Sequence, residues 1–435
     1  MKKKSWQRAL LFAVASLGLV FTLAGCGKSA AKDSSSSKSA APVKITFWHG
    51  MTGPYQKAVN EIISDFNKSQ SKYKVVGTSQ GNYTQLQQKI MAAAKSNSLP
   101  TISQTTYTTV PDYTENHLLE PLDNYMIKGS NALSDSDLKD IYPSFLSSSK
   151  YQGKYYSVPF SKSVRVLYYN QDILDKYNLE KPKTWDDIVK DGEVLKKDNI
   201  AAMGFDKSWD MEFEGLARQA GNPLISKNLK ANLNSADSLK AANLIMDMVK
   251  DGTAKTAGED FYYTQAFTQG KSAFYAGSSA GVTQMVAQAP KTMKWGTMPL
   301  PSWNGKKATE IAGNDIVMFK SGSDDQKKGA WAFMKYLMSK NETAKWATLT
   351  GYVPLRESAT KTADFKKYLA DKPYNQAAVD SLPDGFQSNA FKGFSEYRTK
   401  LLDSVDAMLT KNEPVKKSLD TLQTQTEKII KDNKE

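Results

Sequence analysis

The sequence predicts an α/β fold divided into two lobes, and three observations lead to that reading. Short β-patterned runs alternate with amphipathic helical stretches in the first part of the chain, and the alternation resumes beyond residue 160. The stretch of just under 400 residues beyond position 42 is also too long for one hydrophobic core. Taken in order, Ile45-Thr-Phe-Trp48 has the pattern of a short strand, and Pro54 opens a helix with Tyr55, Ala58, Ile62 and Phe66 on one face. Tyr73-Lys-Val-Val76 is the next strand, followed by a turn at Gly81-Asn82 and a helix carrying Leu86, Ile90 and Ala94. Pro100-Thr-Ile102 begins a third strand, so this region reads as a parallel sheet with helices on its faces. Further on, residues 164–169 form a buried strand pattern, and Thr184-Trp-Asp-Asp187 is a capping box that opens a helix. Helices are predicted near 210–220 and 236–250, strands at 273–275 and 295–300, and helix again over 324–350 and most of 394–430. No internal repeat is present.

The N-terminal residues have a different logic. Lys2, Lys3, Lys4 and Arg8 precede an apolar run over 9–24 that ends in Leu23-Ala24-Gly25-Cys26, the layout of a secretory signal spanning 1–25. The run is shorter than the roughly 20 apolar residues of a membrane span, and small residues close it. Leu-Ala-Gly-Cys resembles the lipobox of bacterial lipoproteins, which implies cleavage before Cys26 and a lipid on its sulfur. Cys26 is the sole cysteine, so no disulfide forms within the chain. Residues 26–42, rich in serine and alanine, contain nothing large and apolar to bury and read as a flexible tether. Residues 1–25 hold four basic and no acidic side chains, so their removal lowers the formal charge from +13 to +9. The remaining lysines are interspersed with acids, without the basic run that would track a nucleic acid.

Several chemistries are excluded by what is missing. His49 and His117 are the only histidines and there is no second cysteine, which leaves no His/Cys metal site. Gly270-Lys-Ser272 ends like a phosphate-binding loop, but the first glycine of that motif would fall at Gln265. Gly277-Ser-Ser-Ala-Gly281 matches a nucleophile elbow around Ser279, yet no histidine follows it to act as base. Acids abound, but nothing singles out a carboxylate pair of the kind a glycosidase needs. What the chain does offer is aromatics, hydroxyls and glycines at strand ends and turns, the groups that line clefts for polar solutes.

Lys44-Ile-Thr-Phe-Trp-His-Gly50, Gly81-Asn-Tyr83, Tyr156-Ser-Val-Pro-Phe160, Leu167-Tyr-Tyr-Asn170, Lys183-Thr-Trp-Asp186 and Thr350-Gly-Tyr-Val-Pro354 occur in a familiar order and spacing. With these motifs the chain resembles the solute-binding proteins of ABC importers that include maltose-binding protein, and most closely their glycerol-3-phosphate-binding branch, over essentially all of 43–430. The resemblance implies a two-lobed, type II periplasmic-binding-protein fold with a multi-segment hinge. Lobe one would comprise 43–160 and 301–355, and lobe two 161–300 and 356–435, with crossings near Pro159 and Pro299. It implies a monomeric, extracytoplasmic binding protein rather than an enzyme, without cofactor or metal. Its partners would be a small solute, the membrane through a lipid anchor, and the permease subunits of the importer. Closure around the solute would both trap it and signal the loaded state.

Position by position, the resemblance assigns ligand hydroxyl contacts to Tyr83 and Ser163, a cleft aromatic to Trp209, and further contacts to Ser278, Gly313 and Tyr352. Arg398 matches the arginine that clamps a phosphate. Tyr107 stands where the branch has a carboxylate for the glycerol hydroxyls, so the solute is glycerol 3-phosphate, a glycerophosphodiester or an oligosaccharide. An extracytoplasmic hydrolase is the alternative of another class. Lys162 and Arg165, beside the first crossing, are expected to face solvent, as most lysines and arginines do.

Overall fold

The computed structural model describes residues 41–207 and 209–434. The signal sequence, Cys26 and all but the end of the tether lie outside the described residues. From Pro42 onward the chain forms one unit built on a continuous mixed sheet.

Strands β1 (Val43–His49), β2 (Tyr73–Ser79) and β3 (Ile102–Thr106) pair in parallel in the order β2-β1-β3. The helices Gly53–Ser69 and Tyr83–Lys95 are the crossovers. The first buries Ala58, Ile62 and Phe66 on the predicted face, and its start at Pro54 fits the fixed φ of proline. The second begins on a capping box: Asn82 Oδ1 accepts from the Gln85 N–H at 3.0 Å, and Gln85 Oε1 accepts from the Asn82 N–H at 2.9 Å. After short helices and the hairpin β4 (Lys150–Tyr151) and β5 (Lys154–Tyr155), the chain enters the 14-residue strand β6 (Ser157–Asn170).

Strand β6 begins seven residues before the predicted 164–169 and changes partners along its length. Ser157–Val164 pair antiparallel with β11 (Thr309–Met318), whereas Arg165–Tyr169 pair antiparallel with β9 (Ser272–Ser278). Strands β7 (Ala201–Phe205) and β8 (Ala254–Thr256) extend the sheet in parallel beyond β9, while β10 (Trp295–Pro299) pairs with the later half of β6. Strand β12 (Gly385–Phe386) adds to the start of β11. Two parallel ends are thus joined by the two long antiparallel strands β6 and β11.

The capping box at Thr184 opens helix Trp185–Leu195 as predicted, with Thr184 Oγ1 accepting from the Asp187 N–H at 3.2 Å. The long helical stretches divide at identifiable breaks. Ser339 caps a new helix, Lys340–Thr350, after Asp324–Leu337; Phe394–Thr410 ends before Asn412 at φ +53°, and Pro414 stands at the N-cap of Val415–Asp432. The last two helices bury Leu401, Val405, Leu419 and Leu422 in one hydrophobic cluster with Leu216, Ala241 and Ile245. Residues 355–382 contribute Leu355, Ala377, Ala378 and Leu382 to the cluster that also holds Ile45, Phe47 and Trp346. No helix among the described residues is long and apolar enough to cross a membrane.

Candidate functional site

The site is built around β11. Its Thr309 and Ile311 are buried, whereas Glu310 and Ala312, on the other face of the strand, are partly exposed, so that face is partly open to solvent. At one end of the strand stand tyrosines. Tyr83 is the first residue of its helix; its hydroxyl accepts a 2.6 Å hydrogen bond from Asn314 Nδ2 and pairs with the hydroxyl of Tyr352. Tyr352 stacks on Trp346 with centroids 5.8 Å apart and takes the edge of Tyr55 at 6.0 Å. The Tyr55 hydroxyl donates to the Ala280 carbonyl at 2.7 Å, in the turn that follows Ser278. Burial pushes the Tyr55 phenol up to about 12 and raises Tyr83 and Tyr352 as well, so all three are neutral donors and acceptors.

At the other end stands Arg398. Its Nε and Nη2 both approach Asp210 Oδ2 at 3.1 Å, and the side chain is 44 % exposed. Asp210 begins the helix Asp210–Ala220, where a negative charge is favoured by the helix dipole. Tyr107 is buried in the turn after β3; its hydroxyl accepts from the Ser388 N–H at 3.1 Å, and the Lys162 ammonium lies 5.6 Å from its ring centroid.

The structure therefore gathers Tyr83, Tyr352 and the Ser278 turn at one end, and Tyr107 and Arg398 at the other. Ser163 is buried on β6 opposite Ala312. Ser278 Oγ accepts from the Ala280 N–H at 3.2 Å, which stabilises the turn. Gly313 lies opposite Lys162 at φ +110°, where a β-carbon would come within 1.9 Å of the Ser161 carbonyl oxygen. Trp209 is wholly buried with its edge on Phe213, so its ring packs in the hydrophobic cluster rather than facing solvent. Its indole N–H has no partner among the described residues. Asn314, Tyr55 and the carboxylates of helix Asp210–Ala220 were not anticipated; none has a distinctive sequence pattern, because each acquires its place from residues more than 150 positions away or from its buried helix face.

The expectation that Lys162 and Arg165 face solvent is overturned. Lys162 is fully buried and pairs with Asp315 Oδ1 at 2.5 Å. Arg165 is also buried; it donates to Glu212 at 2.6 Å, to Asp206 at 3.1 Å and to the Ala276 carbonyl at 2.8 Å. Burial explains the pairing, since a desolvated cation needs a counter-charge and hydrogen bonds. Both cations are consequently neutralised by their own neighbours and lend little positive potential to the candidate site. Ser279, the serine of the elbow-like motif, is buried with its Oγ accepting from the Val164 N–H at 3.2 Å, which gives it a structural role.

Residues 61–372 match the profile of the bacterial extracellular solute-binding protein family. The chain is 28% identical over 408 residues to the sn-glycerol-3-phosphate-binding periplasmic protein UgpB of Brucella melitensis, covering 88% of this chain and 92% of that one. The corresponding Yersinia pseudotuberculosis protein is 27% identical over 353 residues, covering 78% and 80%. Among solved structures, UgpB of Mycobacterium tuberculosis in complex with glycerophosphocholine superposes with a TM-score of 0.79 at 22% identity, covering 90% of this chain and 99% of that one. The cyclic α-maltosyl-1,6-maltose binding protein of Arthrobacter globiformis gives 0.78 at 20%, covering 90% and 100%. The fold is accordingly the two-lobed type II fold of these neighbours. The chain belongs to the bacterial extracellular solute-binding protein family, the extracytoplasmic receptors that bind small solutes for ABC importers.

Proposed function

We propose that this receptor is lipid-anchored through Cys26 and captures glycerol 3-phosphate or a glycerophosphodiester by closing two lobes about β6 and β11. In this reading lobe one comprises 43–160 and 301–355 and lobe two the remainder of the folded chain. The switch of β6 from β11 to β9 between Val164 and Arg165 supports a crossing close to Pro159. The observation that carries the ligand class is Arg398: Asp210 orients its guanidinium, while Nη1 is unpaired among the described residues and the side chain is half-exposed. An oriented guanidinium with a free edge suits a phosphate oxygen. The relatives named for sn-glycerol-3-phosphate, alignable over most of both chains, point the same way. An oligosaccharide is the second reading, favoured by the carboxylates Asp210, Glu214 and Glu310 around Arg398, which suit hydroxyls better than an anion.

Isothermal titration with glycerol 3-phosphate, glycerophosphocholine and maltodextrins tests this directly. A phosphate ester is expected to bind and to be returned unchanged, and Arg398→Ala is expected to weaken it at least tenfold, about 1.4 kcal/mol. Binding of maltodextrin alone would transfer the assignment to sugars, and hydrolysis of any of them would overturn the receptor reading. For the anchor, Cys26→Ala should leave solute affinity intact and release the protein from the membrane fraction, because attachment depends on the acyl chains. A variant as firmly membrane-bound as the parent would refute it.

A further inference from the structure

Four acids crowd the Arg398 end of the site, and three of them are already engaged. Asp210 pairs with Arg398, Glu212 with Arg165 at 2.6 Å, and Glu214 with Arg218 at 2.8 Å. Glu310, the fourth, makes no hydrogen bond or ion pair among the described residues. Its place on β11 sets its direction. Ile311 points into the core and Thr309 Oγ1 donates to the Arg165 carbonyl at 2.7 Å, so the intervening Glu310 points to the opposite, partly exposed face. Phe386 of β12 lies opposite it in register. Tyr107 in the turn after β3, and Tyr397 and Arg398 on helix Phe394–Thr410, lie within electrostatic reach of it, and a negative charge on Glu310 helps to raise the pKa of all three. Four residues along, about 13 Å by the rise of a strand, Asn314 binds Tyr83 at the tyrosine end.

We propose that Glu310 is a specificity-determining residue: it receives the vicinal hydroxyls of a glycerol phosphate or glycerophosphodiester, supplying from β11 the carboxyl that Tyr107 does not provide. The inference rests on the phosphate-ester reading above. A tyrosine hydroxyl that already accepts from the Ser388 N–H keeps a single O–H to donate, which cannot receive two hydroxyls, whereas an unengaged carboxyl offers two oxygens. Burial, together with the negative charges of Asp210 and Glu214, pushes the Glu310 carboxyl up to about 8 against the countervailing Arg398. At neutral pH it is therefore mostly protonated, so it donates one hydrogen bond as well as accepting others, and adds no charge to repel a phosphate nearby.

The test compares glycerol 3-phosphate with 2-hydroxyethyl phosphate, which lacks one hydroxyl, in the wild-type protein and in Glu310→Ala. The wild type is expected to prefer the diol at least tenfold, and Glu310→Ala to shrink that preference below threefold by weakening glycerol 3-phosphate more than 2-hydroxyethyl phosphate, which has one hydroxyl fewer to lose. Glycerophosphocholine, whose phosphate diester does not titrate near neutrality, supplies a second readout. Its affinity should fall as pH rises through about 8, where Glu310 becomes anionic, and Glu310→Gln should remove that dependence. An unchanged diol preference in Glu310→Ala, or an unchanged pH profile in Glu310→Gln, overturns the role of Glu310. Failure of the wild type to bind either phosphate ester overturns the ligand class itself, a result distinguishable from the first.

Discussion

Replacing Asp315 with alanine is expected to lower the free energy of unfolding by about 3–5 kcal/mol, because it strands the Lys162 ammonium in the interior. Both side chains are inaccessible to solvent and meet at 2.5 Å. The second carboxylate oxygen accepts from Ser157 Oγ at 2.5 Å and from Ser149 Oγ at 3.0 Å, so Asp315 is held by three donors. Among the described residues no other acid pairs with Lys162: its other side-chain contacts are the Ser148 hydroxyl at 3.5 Å and the face of Tyr107. Desolvation then outweighs what those neutral groups return. The pair lies where β6 and β11 run side by side, so its loss should also loosen the connection between the two ends of the sheet. Urea unfolding followed by tryptophan fluorescence measures the effect, and a loss below about 1 kcal/mol would show that the ammonium finds another partner or escapes to water. The paired replacement Lys162→Met with Asp315→Leu should restore much of the stability, since breaking such a pair costs more than substituting it with apolar groups of similar volume.

Gly313→Ala should be of comparable severity for a steric reason. Alanine at φ +110° costs about 1–3 kcal/mol in backbone strain. In addition, the new methyl group would sit 1.9 Å from the Ser161 carbonyl oxygen, on backbone that cannot yield without separating β6 from β11. Overpacking of this kind adds about 1–3 kcal/mol. Gly305→Ala is the internal control: its φ is +72° and nothing lies within 4 Å of the added carbon, so it should show the strain alone. Equal losses from the two substitutions would mean that the central strands tolerate a wider separation. Ligand affinity should fall with Gly313→Ala, because Asn314 and Glu310 are carried on the displaced strand, and it should be unaffected by Gly305→Ala.

The parallel end around β1, β2 and β3 was legible because its signals are local. Ala58, Ile62 and Phe66 mark the buried stripe of one helix, Pro54 marks its start, and Gly81-Asn82 marks the start of the next. Thr184 was legible for the same reason, since a capping box closes within four residues. Strand β11 was not anticipated. Its centre reads Ala-Gly-Asn-Asp, a composition that disfavours a strand, and it forms because β3 and β6 supply partners on both edges. The early half of β6 was hidden in the same way by Pro159, three serines and a lysine.

For the candidate site, the family resemblance pointed to Tyr83, Tyr352 and Arg398, and nothing local pointed to Asn314, Tyr55 or Glu310, which the structure sets beside them. The amino-acid sequence by itself determined the α/β class, the helix starts and the family resemblance, because these depend on periodicity, capping and motif order along the chain. The tertiary structure decided which charges are free to meet a solute. Lys162 and Arg165 look available in sequence yet are neutralised by acids 153 and 47 positions away, whereas Glu310 looks ordinary and, of the four acids near Arg398, is the one without a partner among the described residues. The physical reason is that a charge's availability depends on its burial and on partners brought close by strand pairing, and neither is encoded near the residue itself.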